Sequence, residues 1–230
     1  MRNTGIVFAS LTFTGLALLC TDAALAQSTV PQTGFYLGLG LGKSHARFKT
    51  SDFSTGDPTI SESANGTDTG YKALVGWAFT RYIAAELSYT SVGRYSYSYT
   101  VPGFGTSRTT YDVNSVALSA LGTIPIGKDW SALLRLGVAA NRAERSPLNG
   151  EFSTSPPVGS ASNTRASPMA GMGLQYDFTE RAALRLEFEY YGQAGEARGN
   201  GIQVTPTATF PDTTGRTNIW MFSVGGIARF

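Results

Sequence analysis

Residues 184–190 constrain the fold more than any other stretch. Leu184, Leu186, Phe188 and Tyr190 fall on one parity, and Arg185, Glu187 and Glu189 on the other. Successive side chains of a strand point to opposite faces, so this segment is apolar on one side and ionised on the other. The segment from Ile83 repeats the pattern. Ile83, Ala85, Leu87 and Tyr89 share a parity that continues to Tyr95, Tyr97 and Tyr99, opposite Glu86, Ser88, Thr90, Arg94, Ser96 and Ser98. The last segment sends Trp220, Phe222, Val224 and Phe230 to one face. A helix does not produce this period.

Weaker alternation fills the rest and brings the count to eight strands. Expected strands are Gly34–Phe48 (Phe35, Leu37, Leu39 and Leu41 outward), Thr69–Thr80 (Tyr71, Ala73, Val75, Trp77 and Phe79 outward) and Thr109–Ile126. Trp130–Arg145 and Ala166–Phe178 follow, with Leu134, Leu136, Val138, Met172, Leu174, Tyr176 and Phe178 outward. Alternation falters near Asp112, where a bulge is expected. Thr80-Arg81, Gly127-Lys128-Asp129 and Thr179-Glu180-Arg181 read as tight turns, whereas 50–68, 100–107, 146–165 and 197–216 read as longer polar links. Short and long links alternate strictly, so each kind gathers at one end of the sheet.

Composition decides which face meets what. Charged residues make up 15 % of the chain, against roughly 25 % in soluble globular proteins. The mean hydropathy of -0.07 is nevertheless far from that of a helical membrane protein. Residues divided between lipid and lumen give this balance, and the 11 Tyr and 13 Phe suit a barrel's two interfaces. A soluble barrel would hide its apolar parity inside and leave no narrow interior for Arg, Glu and Lys. The expected fold is therefore all-β: an eight-stranded antiparallel transmembrane barrel with short periplasmic turns and long extracellular loops. A net charge of +2 gives no basic face for nucleic acid.

The N-terminus reads as an export signal. Arg2 precedes the apolar run Ile6–Leu19, and Ala24-Leu25-Ala26 supplies the small residues for cleavage after Ala26. The run is about 14 residues, short of the roughly 20 that span hydrocarbon. Residues 1–26 are thus expected to be a signal peptide and 27–230 the barrel. Cys20 is the single cysteine, and Leu19 before it is too large for a lipoprotein signal. The exported part would hold no disulfide, thiolate metal site or cysteine nucleophile. Beyond the signal no stretch reaches 18 consecutive apolar residues, so entry into a membrane requires a barrel.

The stretch Gly70-Tyr71-Lys72-Ala73-Leu74-Val75-Gly76-Trp77 through Glu86-Leu87-Ser88-Tyr89 resembles the second hairpin of the OmpA-like and opacity-type surface-antigen barrel superfamily, as does the opening Gly34–Gly40. The ending Ile227-Ala228-Arg229-Phe230 is similar to the aromatic-terminated last strand that outer-membrane assembly machinery recognises, which makes Phe230 the expected assembly signal. The resemblance implies a bacterial outer-membrane location, contact with lipid and lipopolysaccharide, and a structural or surface-antigen role carried by extracellular loops. No counterpart of the peptidoglycan-binding domain that follows the barrel in full-length members is expected from the sequence.

Candidate sites are then few. Lys72, Glu86, Arg135, Arg185, Glu187 and Glu189, with Gln175, fall on the inward parity. In so narrow an interior these charges must pair. They form either a plug of salt bridges or the gate of a low-conductance pore for ions or small solutes. Gly38–Ser44 is not a phosphate loop, because Leu37 stands where the first glycine is required. His45 beside Ser44 evokes outer-membrane lipid-modifying enzymes, but adjacent strand residues face opposite ways. Asp52, Asp57 and Glu62 lack the spacing of a calcium loop and read as solvated charges. No catalytic residue, metal or cofactor is expected. Ile202, Val204 and Phe210 with Tyr95, Tyr97 and Tyr99 are expected to form an adhesive hairpin toward a host or cell-surface ligand.

Overall fold

The computed structural model describes residues 33–48, 54–151, 159–196, 202–203, 209–210, 214 and 216–230. The expected signal peptide, Asp52 and Val204, and the side chains of Ile202 and Phe210, lie outside the described residues. Eight long strands close a ring: β1 (Gly34–Phe48), β2 (Thr67–Ala78), β3 (Ile83–Val101), β4 (Gly105–Pro125), β5 (Trp130–Arg145), β6 (Ala161–Asp177), β7 (Ala182–Ala194) and β8 (Thr217–Arg229). Each pairs antiparallel with the next, and β8 returns to β1 in the register Tyr36↔Arg229 to Phe48↔Thr217. Closure leaves the ring without an open edge, as hydrocarbon requires.

Turn chemistry fixes one end. Thr80 Oγ1 accepts from the Tyr82 and Ile83 amides at 3.1 Å, and Thr179 Oγ1 accepts from Arg181 and Ala182 at 3.2 and 3.0 Å. A threonine that bonds the backbone two and three residues on closes each turn without a long loop. The outer surface carries an exposed apolar belt, including Leu39, Leu41, Leu118, Leu134, Val138 and Met172. Aromatics edge it on both sides. Near the short turns, Phe35 lies against Phe230 (6.3 Å between centroids) and Trp130 against Tyr176 (5.0 Å). Toward the long links, Tyr71 meets Tyr89 (6.3 Å) and Trp220 meets Tyr190 (4.4 Å).

The structure corrects several expectations. The link at 100–107 is a tight turn, in which the Phe104 amide bonds the Val101 carbonyl at 3.0 Å. The hairpin it joins is long, because β3 has 19 residues and β4 has 21. The bulge expected near Asp112 falls on the facing strand, where the β3–β4 register shifts between Ser91 and Gly93. Gly93 takes φ +140°, a conformation that L side chains rarely adopt, and a Cβ there would press on Asp68. The extra residue flips β3, as bulges do. Tyr95, Tyr97 and Tyr99 therefore point inward, 1–3 % exposed, and Arg94 points out. They are not part of an adhesive surface.

Two short segments widen this hairpin. Ser61–Asn65 pairs with Thr100–Ser96 of β3, and Asn149–Gly150 pairs with Arg108 and Ser107 of β4. Ile202–Gln203 and Thr209–Phe210 form a small ladder of their own.

Candidate functional site

The inward parities build a lumen in three layers. Nearest the short turns, Tyr36, Leu74, Ala84, Leu121, Leu133, Ala183 and Ile227 form an apolar floor. Small residues make room for the larger ones: Gly76 faces the Tyr36 ring, and a methyl group there would overlap it.

Ionised side chains fill the middle layer, and the ring brings together all six that the sequence singled out. Lys72 (β2) bonds Glu187 and, at 3.0 Å, Glu189, both on β7. Arg135 (β5) bonds Glu86 on β3 and reaches Glu187 at 2.7 Å and Glu189 at 2.5 Å. Arg185 (β7) bonds Glu86 at 2.7 Å and lies 3.8 Å from Glu187. The three cations match the three carboxylates, and each of the six is at most 6 % exposed. Neutral groups take up further lone pairs and protons. The Tyr36 hydroxyl donates to Glu86 at 2.6 Å, and Tyr191 donates to Glu189 at 3.2 Å. Gln175 Oε1 accepts from Arg185 Nε and Nη2 at 3.2 and 3.1 Å. Such pairing is the condition on which buried charges are tolerated.

A roof of Tyr95, Tyr97, Tyr99, Tyr111, Met169, Tyr191, Ile219 and Met221 lies above. Tyr97, beyond the apolar belt, donates to Glu62 Oε2 at 3.1 Å, and Thr55 donates to Glu62 Oε1 through its amide (2.7 Å) and hydroxyl (2.9 Å). Burial, then the Glu62 charge, push the Tyr97 phenol above its ordinary pKa. Glu62 is thus a bonded anchor for the first long link rather than a solvated charge. Asp57 caps Thr59, accepting from its amide at 2.9 Å.

The apolar layers were missed from sequence. Leu74, Leu121, Leu133 and Ile227 sit on the parity that carries the charges. Their signal was large apolar residues on the polar parity near the short turns.

The closed ring thus carries an apolar belt edged by aromatics at both ends. The sequence profile of the OmpA-like transmembrane domain matches residues 31–229. The chain belongs to the OmpA-like transmembrane domain family. Outer membrane protein A of Serratia marcescens is 27 % identical over 215 residues, covering 91 % of this chain and 48 % of that protein. Outer membrane protein A of Salmonella typhi is 28 % identical over 204 residues, covering 88 % and 52 %. The chain spans about half the length of the curated relatives it matches. The outer membrane protein OprG from Pseudomonas aeruginosa has the same fold, with a TM-score of 0.52 at 13 % identity over 87 % of this chain and 99 % of that one.

This OmpA-like barrel therefore resides in the bacterial outer membrane. Barrels of that membrane keep short turns in the periplasm and long loops outside, so the floor is periplasmic and the roof extracellular. Ser44 points into the lumen, where Tyr95 donates to it at 2.8 Å, while His45 points out, 3.2 Å from Thr67 Oγ1. The two form no nucleophile–base pair. Phe230 is exposed at the periplasmic rim, its amide bonded to the Phe35 carbonyl at 3.0 Å.

Proposed function

We propose that this barrel is a sealed outer-membrane scaffold whose role is structural and surface-interactive, without enzymatic chemistry. One observation carries the reading: a lumen packed in three layers beneath a long paired hairpin that rises past the belt. The ion cluster acts as a plug, since an eight-stranded interior is only wide enough for side chains to fill. Function then falls to the extracellular end, where rigid scaffolds commonly carry it. Phe104 at the apex of the β3–β4 hairpin is 70 % exposed and presents an apolar contact to a host or cell-surface ligand. Export through residues 1–26 and assembly through Phe230 complete the proposal. The expected mature N-terminus is Gln27.

A planar-bilayer recording tests the plug. The purified barrel is expected to be electrically silent. Reproducible current steps that shift on Glu86→Gln would support the rival pore. A specific feature favours that rival: the Ser88, Ser115 and Ser119 hydroxyls line the lumen wall without a hydrogen-bond partner among the described residues. The surface role is tested with Phe104→Ser, which should lower cell adhesion while the protein keeps its heat-dependent gel shift.

A further inference from the structure

We infer that the apex of the β3–β4 hairpin is a wedge for an apposed zwitterionic phospholipid bilayer, with Phe104 as the side chain that enters it. The inference rests on the surface role proposed above and names its partner. Val101-Pro102-Gly103-Phe104 closes the hairpin, with the Phe104 amide bonded to the Val101 carbonyl at 3.0 Å. Gly103 takes φ +80°, and nothing packs over it. Proline followed by a glycine at positive φ is the chemistry of a type II turn, so the apex is held in shape before it meets a partner. Among the described residues beyond the belt, Phe104 is the only large apolar side chain left exposed, whereas Ile60 and Leu148 pack against the roof. The rise from Tyr89 to Val101, at about 3.3 Å per residue and inclined at roughly 40°, lifts the apex about 30 Å above the belt.

Along its own axis the apex repeats the order of a membrane interface. Pro102 and Phe104 come first, both exposed. A polar collar follows. Thr100 Oγ1 and Thr106 Oγ1 lie 2.8 Å apart, and Ser98 Oγ accepts from Arg108 Nε at 3.3 Å. The pairing of Asn149–Gly150 with β4 brings Glu151 alongside, where its carboxylate accepts from the Thr106 amide at 3.0 Å. The Arg94–Asp112 ion pair stands further down, toward the belt. One guanidinium and one carboxylate balance the collar's charge, which matches headgroups that carry a phosphate and a quaternary ammonium. A strongly basic collar would favour an anionic surface instead. The apex is also a convex point with one exposed ring. A fluid bilayer admits such a point between its headgroups, whereas a protein would have to supply a fitted pocket. One ring holds weakly, but several barrels in one membrane that meet another act together.

The test places the full barrel in nanodiscs and floats them with protein-free phosphatidylcholine vesicles. Parent discs should float well above empty discs, and equally in low and high salt, because the contact is apolar. Phe104→Ser should lower the bound fraction about tenfold in partition. Phe104→Trp should retain binding. Its introduced indole should be quenched by vesicles with brominated acyl chains, beyond any quenching of the parent, whose Trp77, Trp130 and Trp220 sit in the belt. Parent discs that float no better than empty ones, equal partition of Phe104→Ser, an unquenched indole at the apex, or release by salt would each overturn the inference. If Phe104→Ser lowers adhesion to cells while parent discs ignore the vesicles, the partner is a protein, and the surface role stands without this inference. An unaltered heat-dependent gel shift of Phe104→Ser excludes misfolding as the cause of any loss.

Discussion

The middle and upper layers of the lumen are walled by the same strands, yet one is ionic and the other aromatic. In the middle layer β3 contributes Glu86, bonded by Arg135 and Arg185. Above the bulge the same strand contributes Tyr95, Tyr97 and Tyr99. The difference teaches that what a barrel strand buries depends on where it stands relative to the membrane as much as on its sequence. Within the belt the outward face must be apolar, so polar groups go inside and must pair. Above it the outward face meets water, so the interior is free to be apolar, and one extra residue at Gly93 makes the exchange.

Breaking the ionic layer should cost the most. Glu86→Ala removes the carboxylate that both Arg135 and Arg185 bond closely and leaves three cations against two carboxylates in a closed space. Reversible urea unfolding in lipid vesicles should show a loss of about 3–5 kcal/mol. A variant within 1 kcal/mol of the parent would mean the layer is wetter and looser than the contacts imply. Removing the switch between the layers comes next. Gly93→Val forces a β-branched residue into positive φ and against Asp68, with an expected loss of about 1–3 kcal/mol. If the flip depends on the bulge, quenchers should also reach tyrosines that the parent protects. The smallest effect belongs to the roof. Tyr97→Phe removes one hydrogen bond to Glu62, worth about 1 kcal/mol. Its sharper signature is local: faster proteolysis within residues 54–62, with the rest of the barrel resistant. Unchanged cleavage would show that Ser54, Thr55 and the Ser61–Asn65 pairing anchor the link without Tyr97.

Much of this was legible from parity. Strand number, the short turns and the six lumen charges all follow from alternation, because lipid and lumen impose opposite demands on successive residues. The inward turn of the tyrosines was not legible, and the reason is physical. At Gly93 two inversions coincide: the bulge flips the strand, and the surroundings outside change from lipid to water. Tyr95 thus continues the odd parity of Tyr89 in sequence while occupying the other face, and the pattern reads as unbroken. The available cue was a glycine inside a strand, which marks bulges, together with Arg94 on a parity that would have been inward. The floor escaped for a different reason. Leu74 and Leu133 look like minor faults in the alternation until the ring brings them together.

Closure of the ring through β1 and β8 also bears on kinetics. Tyr36 pairs with Arg229, so the contact that completes the barrel joins residues nearly the whole described length apart. Contacts this remote close slowly. Until β8 docks, β1 presents a row of unpaired amides and carbonyls, and so does β8, which is the geometry that invites pairing with a stray strand. The Lys72–Glu187 and Glu86–Arg185 pairs span the same seam, since they tie β2 and β3 to β7. These two pairs form as the cylinder closes, whereas Arg135 on β5 meets Glu86 on β3 and Glu189 on β7 within the consecutive strands, so part of the ionic layer rewards the last step of folding.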